Sequence, residues 1–157
     1  MNNMLSHIDD EGKINMVDVS GKSNTQRVAI ASGKVVFPQH IFNQLEKEGF
    51  TSKKGSITQT AVIAGIQAAK KTAELIPLCH QINLSKVNIE ITPVSPELWI
   101  EATVVCSGKT GVEMEALTAV SVSALTLYDM CKALSQNIEI SQIQLEQKSG
   151  GKSDYKR

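Results

Sequence analysis

The sequence predicts an α+β sandwich of two layers, in which helices cover one face of an antiparallel sheet. Apolar residues alternate in the segments that we assign to strands, and they recur at helical spacing in the segments between them. The resulting order is β-α-β-β-α-β, with the first helical connection in two pieces. This order is the split βαβ, or ferredoxin-like, pattern. The length of 157 residues suits one domain over 1–157.

The first strand is predicted over 26–36, where the sequence reads QRVAIASGKVV. Pro38 then opens a short helix that runs to about Lys47 and is ended by Gly49. A long helix follows over 57–75.

The long helix has apolar residues on two opposite sides. One side carries Ile57, Ala61, Ala64 and Ala68, and the other carries Val62, Ile66, Ala69 and Ala73. A helix in a two-layer domain needs only one buried stripe. The second side, with Gly65 and small alanines that permit close approach, therefore predicts a subunit interface. A helix buried between two elements of the same chain is the alternative.

The second half of the chain follows Pro77. Alternating stretches over 86–91 and 98–106 predict an antiparallel strand pair. A third helix is predicted over 116–135 and a last strand over 138–147. The apolar phase of that strand slips between Ile140 and Ile143, which indicates a β-bulge.

Composition narrows the classes of function. Sixteen basic residues balance sixteen acidic ones, so the chain has no overall positive charge that would predict nucleic-acid binding. Cys79, Cys106 and Cys131 are odd in number and widely spaced, which fits neither a disulfide framework nor a paired zinc site. A reducing cytoplasm is the expected compartment. No leader or membrane-spanning stretch is expected, because the first residues are polar and no apolar run reaches about 20 residues.

Both ends of the chain read as loop. Residues 1–15 are predicted to be an N-terminal loop segment, and 148–157 a flexible tail rich in glycine, serine and charge. Lys148 and Lys152 bracket two glycines in that tail, and Lys54 stands next to Gly55 before the long helix. Lysines beside glycines near helix starts can hold phosphate, although no GxxxxGK[ST] motif is present.

Two short motifs could carry chemistry. Leu78, Cys79 and His80 follow directly after the long helix, where binding groups are often displayed. Glu113 and Glu115 follow a glycine turn at the start of the third helix, where carboxylates could accept hydrogen bonds from a purine-like ring. A histidine bonded at a helix end and a pair of capping carboxylates are the structural alternatives.

Asp129 and Lys132 are three residues apart on the third helix, away from its apolar stripe. A surface ion pair is the ordinary explanation for such a pair. Taken with the other motifs, they add groups suited to proton transfer. The sequence contains no metal-ligand set and no dinucleotide fingerprint, so neither a metal nor a cofactor is predicted.

Several of these strings together resemble the cyclic pyranopterin monophosphate synthase family, also called molybdenum-cofactor biosynthesis protein C. They are NMVDVSGK, AGIQAAKKTAELIPLCH, LSKV, SGKTGVEMEALTAVSVSALTLYDMCKA and KSGGKS, in this order. The resemblance covers 5–154 and is most specific over 65–80 and 108–132. It implies a lyase that converts 3′,8-cyclo-7,8-dihydroguanosine triphosphate to cyclic pyranopterin monophosphate and pyrophosphate.

The resemblance also implies an assembly and a supplier. The expected assembly is a homo-hexamer, a trimer of dimers, with active sites near the dimer interface. A separate radical-SAM enzyme is expected to deliver the substrate. The implied catalytic residues are Asp129, Lys132, Lys54 and His80. The implied substrate-binding residues are Leu78, Cys79, His80, Glu113, Met114, Glu115, Asp18, Arg27, Lys148 and Lys152.

Two positions depart from the family pattern, in which a proline often follows the histidine and an acid often follows Lys-Gly. Gln81 and Ser56 stand there instead. Both lie beside the implied chemical groups, so they affect what the resemblance implies about loop geometry more than what it implies about activity. The rival prediction from another class is a non-catalytic ferredoxin-like module that binds nucleotides or RNA. The balanced charge and the absence of an RNP-like aromatic strand argue against RNA.

Overall fold

The computed structural model describes residues 6–9 and 11–157. Within these residues the chain forms seven strands and four helices. The strands are β1 (Thr25–Val36), β2 (Thr51–Ser52), β3 (Gly55–Ser56), β4 (Leu84–Val94), β5 (Glu97–Gly108), β6 (Glu139–Ser149) and β7 (Tyr155–Lys156). The helices are α1 (Gln39–Lys47), α2 (Ile57–Lys70), α3 (Thr72–Leu75) and α4 (Glu113–Cys131).

The main sheet has the order β4-β5-β1-β6-β7, and every neighbouring pair is antiparallel. Helices α2 and α4 pack against each other. Helix α2 contacts β4, and helix α4 contacts the three central strands β5, β1 and β6. The strand order and the helical layer confirm the predicted ferredoxin-like sandwich. The strands β2 and β3 form a separate small hairpin immediately before α2.

Small residues on the central strand let α4 lie close to the sheet. Ala29 and Ala31 of β1 are fully buried, and a Cβ atom at Gly33 would lie 2.7 Å from Cγ1 of Val120 on α4. Ala124 of α4 is also fully buried. Because interiors are close-packed, these small side chains set the distance between the two layers.

Gly65 of α2 makes a close approach within the chain, against α4. A Cβ atom there would lie 2.2 Å from Oγ of Ser123 and 2.9 Å from the carbonyl oxygen of Ala119. The Ser123 hydroxyl also donates a 3.0 Å hydrogen bond to the carbonyl oxygen of Ala61. The small size of Gly65 is therefore explained by packing against a helix of the same chain. The outer side of α2 still exposes Ile63.

Helix bounds differ from the prediction at three places, one of which is the end of α4 at Cys131 instead of at 135. The long helix stops at Lys70 and Thr72–Leu75 forms a separate turn, where the buried Thr72 hydroxyl donates to the carbonyl oxygen of Ala69 at 3.0 Å. Helix α4 begins at Glu113, so both glutamates of the predicted motif lie in its first turn. Negative side chains are favourable there because the N-terminal N–H groups are unpaired.

The predicted β-bulge in the last strand is confirmed. Ser32 pairs with Gln144 and Lys34 pairs with Ser141, so β6 has one residue more than β1 over this stretch. Gln142 adopts a positive φ of 53° at this point. The extra residue shifts the pairing of β6 with β1 by one position, and a second shift of the same kind lies between Leu145 and Gln147.

The described residues near the two ends of the chain differ in how they pair. Strand β7 pairs back on β6, with Gln147 opposite Lys156. At the other end, Ile8 and Ile14 form an isolated bridge. Of the predicted N-terminal loop, residues 1–5 and 10 lie outside the described residues. No helix in the described part is long and apolar enough to cross a membrane.

Candidate active site

A cavity of about 510 Å³ opens beside the first turn of α4, where β1 begins and β6 ends. Its walls come from segments that are far apart in sequence, from the N-terminal arm to the turn after β6. Of the predicted site residues, it is lined by Arg27, Leu78, Cys79, His80, Glu113, Met114, Glu115, Lys148 and Lys152. The fold therefore brings nine of the predicted residues to one place.

Strand pairing explains why these segments meet. Arg27 of β1 lies opposite Cys106 near the end of β5, and the glycine turn over 108–111 then leads into α4. On the other side of β1, Ala29 lies opposite Lys148. Residues at the start of β1 are thereby placed between the glycine turn and the end of β6.

Two basic side chains in the cavity donate to neutral carbonyl groups. Arg27 donates from Nε to the carbonyl oxygen of Gly108 and from Nη2 to that of Lys109, both at 3.3 Å. The ammonium group of Lys109 donates to the carbonyl oxygen of Ser20 at 2.9 Å. Carbonyl acceptors do not neutralise these charges, so both cations remain available to an anionic ligand.

Lys22 and Lys109 also line the cavity, and they were not among the predicted site residues. Each follows a glycine, in VSGK and in SGKTG. The same lysine-and-glycine signal pointed to Lys54, so it could have pointed to these two as well.

The carboxylates of the cavity differ in environment. Glu113 Oε1 is 3.1 Å from the Nζ of Lys148, and both side chains are partly exposed. Glu115 is only 4% exposed. Burial raises the pKa of Glu115 to about 7, and the negative charge of Glu113 adds to this increase. Glu115 can therefore carry or release a proton near neutral pH.

Cys79 lines the same cavity as Glu115. Burial raises the pKa of Cys79, and the charge of Glu115 raises it further. The side chain is therefore a neutral thiol at neutral pH. A thiol needs a lowered pKa to act as a nucleophile, so Cys79 is suited to binding and not to covalent catalysis.

His80 is held by the N-terminal arm. Its Nε2 lies 2.8 Å from the carbonyl oxygen of Val17. Because a carbonyl group can only accept a hydrogen bond, Nε2 carries a proton in this arrangement. His80 therefore lines the cavity with one of its two ring nitrogens already hydrogen-bonded within the chain.

Asp18 lies beside the cavity and does not line it. Its Oδ1 accepts hydrogen bonds from the hydroxyl of Ser20 at 2.6 Å and from the amide of Ser20 at 2.8 Å. These hydrogen bonds lower the pKa of Asp18. Within a single chain, Asp18 therefore stabilises a turn in the N-terminal arm that borders the cavity.

The other predicted catalytic residues lie at the opposite end of α4. The Nζ of Lys132 is 2.7 Å from Oδ1 of Asp129, and both side chains are largely exposed. This hydrogen bond and the charge of Lys132 lower the pKa of Asp129, and the charge of Lys54 contributes a smaller decrease. Lys54, Asp129 and Lys132 thus form a second cluster, which we call the distal cluster.

The distal cluster does not meet His80 within one chain. A helix rises about 1.5 Å per residue, so Glu113 at the cavity and Asp129 are roughly 24 Å apart along α4. Convergence of all four predicted catalytic residues would require a second copy of the chain, and it stays a prediction.

Among residues 6–9 and 11–157, no three His, Cys, Asp or Glu side chains are grouped so as to hold a metal ion. These residues can support anion binding, hydrogen bonding by Glu113 and His80, and proton transfer by Glu115. The anion-binding side chains are those of Lys22, Arg27, Lys109, Lys148 and Lys152. The fold and this cavity together define a small-molecule-binding protein whose site is rich in cationic side chains.

Comparison with known proteins identifies the family. The family model described as the MoaC family matches residues 16–151, and the chain belongs to this family. The predicted resemblance to the molybdenum-cofactor biosynthesis family is thereby confirmed.

Named relatives are similar over almost the whole chain. A cyclic pyranopterin monophosphate synthase from Chloroflexus aurantiacus is 52% identical over 158 residues, which cover 99% of this chain and 96% of that protein. Molybdenum cofactor biosynthesis protein 1 of Drosophila melanogaster is 52% identical over 98% of this chain. A molybdenum cofactor biosynthesis bifunctional protein of Chlorobaculum tepidum is 53% identical over 95% of it. The chain spans 27% of the length of the Drosophila protein and 47% of the Chlorobaculum protein.

Proposed function

We propose that this chain is a lyase of molybdenum-cofactor biosynthesis that forms cyclic pyranopterin monophosphate and pyrophosphate from 3′,8-cyclo-7,8-dihydroguanosine triphosphate. The observation that carries the proposal is the similarity to the Chloroflexus synthase over nearly the full length of both proteins. The cavity supports it, because cations for a triphosphate and carboxylates for a purine-derived ring lie together. No comparable feature favours the RNA-binding alternative.

The reaction needs two kinds of chemistry. Opening and reclosing the purine-derived ring requires general acids and bases, and Glu115, with a pKa of about 7, is suited to such proton transfers. A sugar hydroxyl must then attack the α-phosphate, forming a phosphorus–oxygen bond while the bond to the pyrophosphate leaving group breaks. Positioned cations such as Arg27, Lys148 and Lys152 stabilise the charge on the phosphate oxygens.

The distal cluster enters this proposal through a second copy of the chain. A two-fold axis that pairs α4 with α4 in antiparallel orientation places the Asp129 end of one copy at the Glu113 end of the other. The midpoint between these two residues is Ser121, whose small side chain permits close approach and whose hydroxyl is already bonded to the carbonyl oxygen of Leu117 at 2.7 Å.

The exposed side of the helical layer suits such a contact. Leu125 of α4 is 57% exposed and Ile63 of α2 is 58% exposed. Burying these side chains against their symmetry mates removes apolar surface from water. We therefore propose dimers with shared active sites, further assembled as a hexamer, and with Lys54, Asp129 and Lys132 as catalytic residues that act on substrate held by the other chain.

The cellular setting follows from the same proposal. A radical-SAM enzyme supplies the substrate. Cys79, Cys106 and Cys131 are free thiols in the structure, and the last two are buried. A reducing compartment such as the cytoplasm preserves them.

The direct test is to incubate the purified protein with the cyclised triphosphate and measure both products. Pyrophosphate release and formation of cyclic pyranopterin monophosphate are expected in equal amounts. Pyrophosphate release without the cyclic product would contradict the proposed reaction.

Subunit complementation tests the shared site. The variants His80→Ala and Asp129→Asn are each expected to be inactive, and co-expressed in equal amounts they should recover about a quarter of wild-type activity, because half of the dimers are mixed and each mixed dimer has one intact site. Light scattering verifies the assembly, and native mass spectrometry of tagged variants verifies mixing. Mixed dimers without activity, or a monomer, would contradict shared sites.

A further inference from the structure

The N-terminal arm borders the cavity without belonging to any helix or strand. Residues 17–22 lie before β1, and Val17, Val19 and Lys22 line the cavity. We call the segment 17–22 the strap. Irregular segments are held in place only where specific contacts fix them, so the contacts of the strap indicate what it does.

The strap is tied to the cavity wall at two points. His80 holds its beginning through the carbonyl oxygen of Val17 at 2.8 Å, and Lys109 holds its middle through the carbonyl oxygen of Ser20 at 2.9 Å. The two tying residues come from different segments, the loop after α3 and the glycine turn before α4. Both ties use main-chain carbonyl groups, so they fix the path of the strap whatever its side chains are.

The strap also contains two overlapping local turns, one over Asp18–Ser20 and one over Val19–Lys22. Asp18 accepts hydrogen bonds from the amide and hydroxyl of Ser20, and the amide of Lys22 donates to the carbonyl oxygen of Val19 at 3.1 Å. An aspartate that bonds the main chain two residues later forms a local turn. The turn from Val19 to Lys22 places both of these residues at the cavity, although Asp18 and Ser20 do not line it.

We propose that the strap is part of the substrate site, that Lys22 is a further binding residue for the anionic phosphate chain of the substrate, and that His80 is a positioning residue which acts through the strap. The proposal rests on the proposed function, because that function supplies the triphosphate. It changes the role expected for His80: the proton on Nε2 is used to hold Val17 and is not transferred to substrate.

Steady-state kinetics test the role of Lys22. Loss of a charge-assisted hydrogen bond costs roughly tenfold or more in affinity, so Lys22→Ala should raise KM by about that factor with little change in kcat. The matched control is Lys13→Ala, in the same N-terminal segment, where Lys13 is exposed, pairs with Glu11 and does not line the cavity. Wild-type KM in Lys22→Ala would overturn this role.

Two substitutions of His80 separate positioning from proton transfer. Glutamine keeps an N–H donor near the place of Nε2 but has no titratable group, so His80→Gln should retain much of the kcat that His80→Ala loses. Hydrogen exchange without substrate should show faster exchange of the strap amides in His80→Ala and Lys109→Met than in wild type. Two outcomes would overturn the proposal. One is a His80→Gln variant that is as inactive as His80→Ala although its strap amides exchange as slowly as in wild type. The other is wild-type exchange of the strap amides in both His80→Ala and Lys109→Met.

The strap can be judged even where the proposed function fails. If the wild type releases no pyrophosphate from the cyclised triphosphate, the function is wrong. Binding of inorganic triphosphate to wild type, Lys22→Ala and Lys13→Ala by calorimetry still tests the cation, and hydrogen exchange still tests the ties. Equal binding by all three proteins counts against Lys22 independently of turnover.

Discussion

Lys148, at the end of β6, places its Nζ 3.1 Å from Oε1 of Glu113 in the first turn of α4. The pair joins two of the elements that line the cavity. Both side chains are about one-third exposed, and partly exposed ion pairs contribute little to stability. The pair therefore orients a cation and a carboxylate for the substrate more than it stabilises the fold.

A double-mutant cycle tests this interpretation. Lys148→Ala, Glu113→Gln and the double variant should show a coupling in the free energy of unfolding of less than about 1 kcal/mol. The same variants should each weaken binding of the triphosphate substrate. Urea denaturation measures the coupling and calorimetry measures the binding. A coupling of several kcal/mol would assign the pair to the fold instead.

Replacing Gly65 by alanine is expected to destabilise the protein. The new Cβ would lie 2.2 Å from Ser123 Oγ and 2.9 Å from the carbonyl oxygen of Ala119. Main-chain atoms of α4 cannot move aside without disturbing the helix pair, so a loss of about 1–3 kcal/mol is expected. Thermal unfolding measures it. Gly21→Ala is the matched control, because nothing lies within 4 Å of a Cβ at that position, and equal losses in both variants would contradict the packing argument.

Glu115 should make stability depend on pH. Burial raises the pKa of Glu115 from 4.5 to about 7, so between these values the folded state binds more protons than the unfolded state. The stability contributed by protonated Glu115 is therefore present at low pH and is lost as pH rises toward and through about 7, by an amount on the order of 3 kcal/mol at most.

The variant Glu115→Gln removes this titration. Its free energy of unfolding should fall less between pH 5 and 8 than that of the wild type, as measured by urea denaturation at each pH. Glu90→Gln, at an exposed position of β4, is the control and should follow the wild type. Parallel pH profiles of wild type and Glu115→Gln would contradict the raised pKa.

The turn after β6 distinguishes two adjacent glycines. Gly150 has a φ of +83° and a Cβ there would lie 1.8 Å from the carbonyl oxygen of Gln26, whereas a Cβ at Gly151 would lie 2.7 Å from Nη1 of Arg27, at the mobile end of its side chain. Gly150→Ala should therefore displace the turn that carries Lys152 and raise KM several-fold. Gly151→Ala should have a smaller effect on KM. The reverse order would contradict this assignment.

The mobility of the predicted tail over 148–157 stays a prediction. The structure pairs β7 with β6 and closes the turn with a hydrogen bond from the Gly150 amide to Oδ1 of Asp154 at 3.1 Å. If the turn acts as a lid, amide exchange over 149–154 should slow when inorganic pyrophosphate is bound. Equal exchange with and without pyrophosphate would indicate a fixed turn.

The sequence by itself determined the four long strands, the main helices and their order, because burial on one face imposes a period of two on strands and of 3.6 on helices. The slip between Ile140 and Ile143 located the bulge for the same reason. The sequence did not predict the two-residue strands β2, β3 and β7, and β7 lies in the segment predicted as tail. Family motifs located the residues of the cavity wall from Leu78 to Lys152. The sequence misplaced the role of Gly65, since apolar spacing does not distinguish a neighbour in the same chain from a neighbour in another.

Tertiary structure alone decided which of these residues meet. Antiparallel pairing of β1 with β5 and β6 brings Arg27, Lys148 and the glycine turn together, while the length of α4 keeps Asp129 away from His80. The burial of Glu115 and the ties from His80 and Lys109 to the strap depend on contacts between segments far apart in the chain. Such contacts leave no periodic signal in the sequence, because each involves single atoms that only the folded backbone brings within bonding distance.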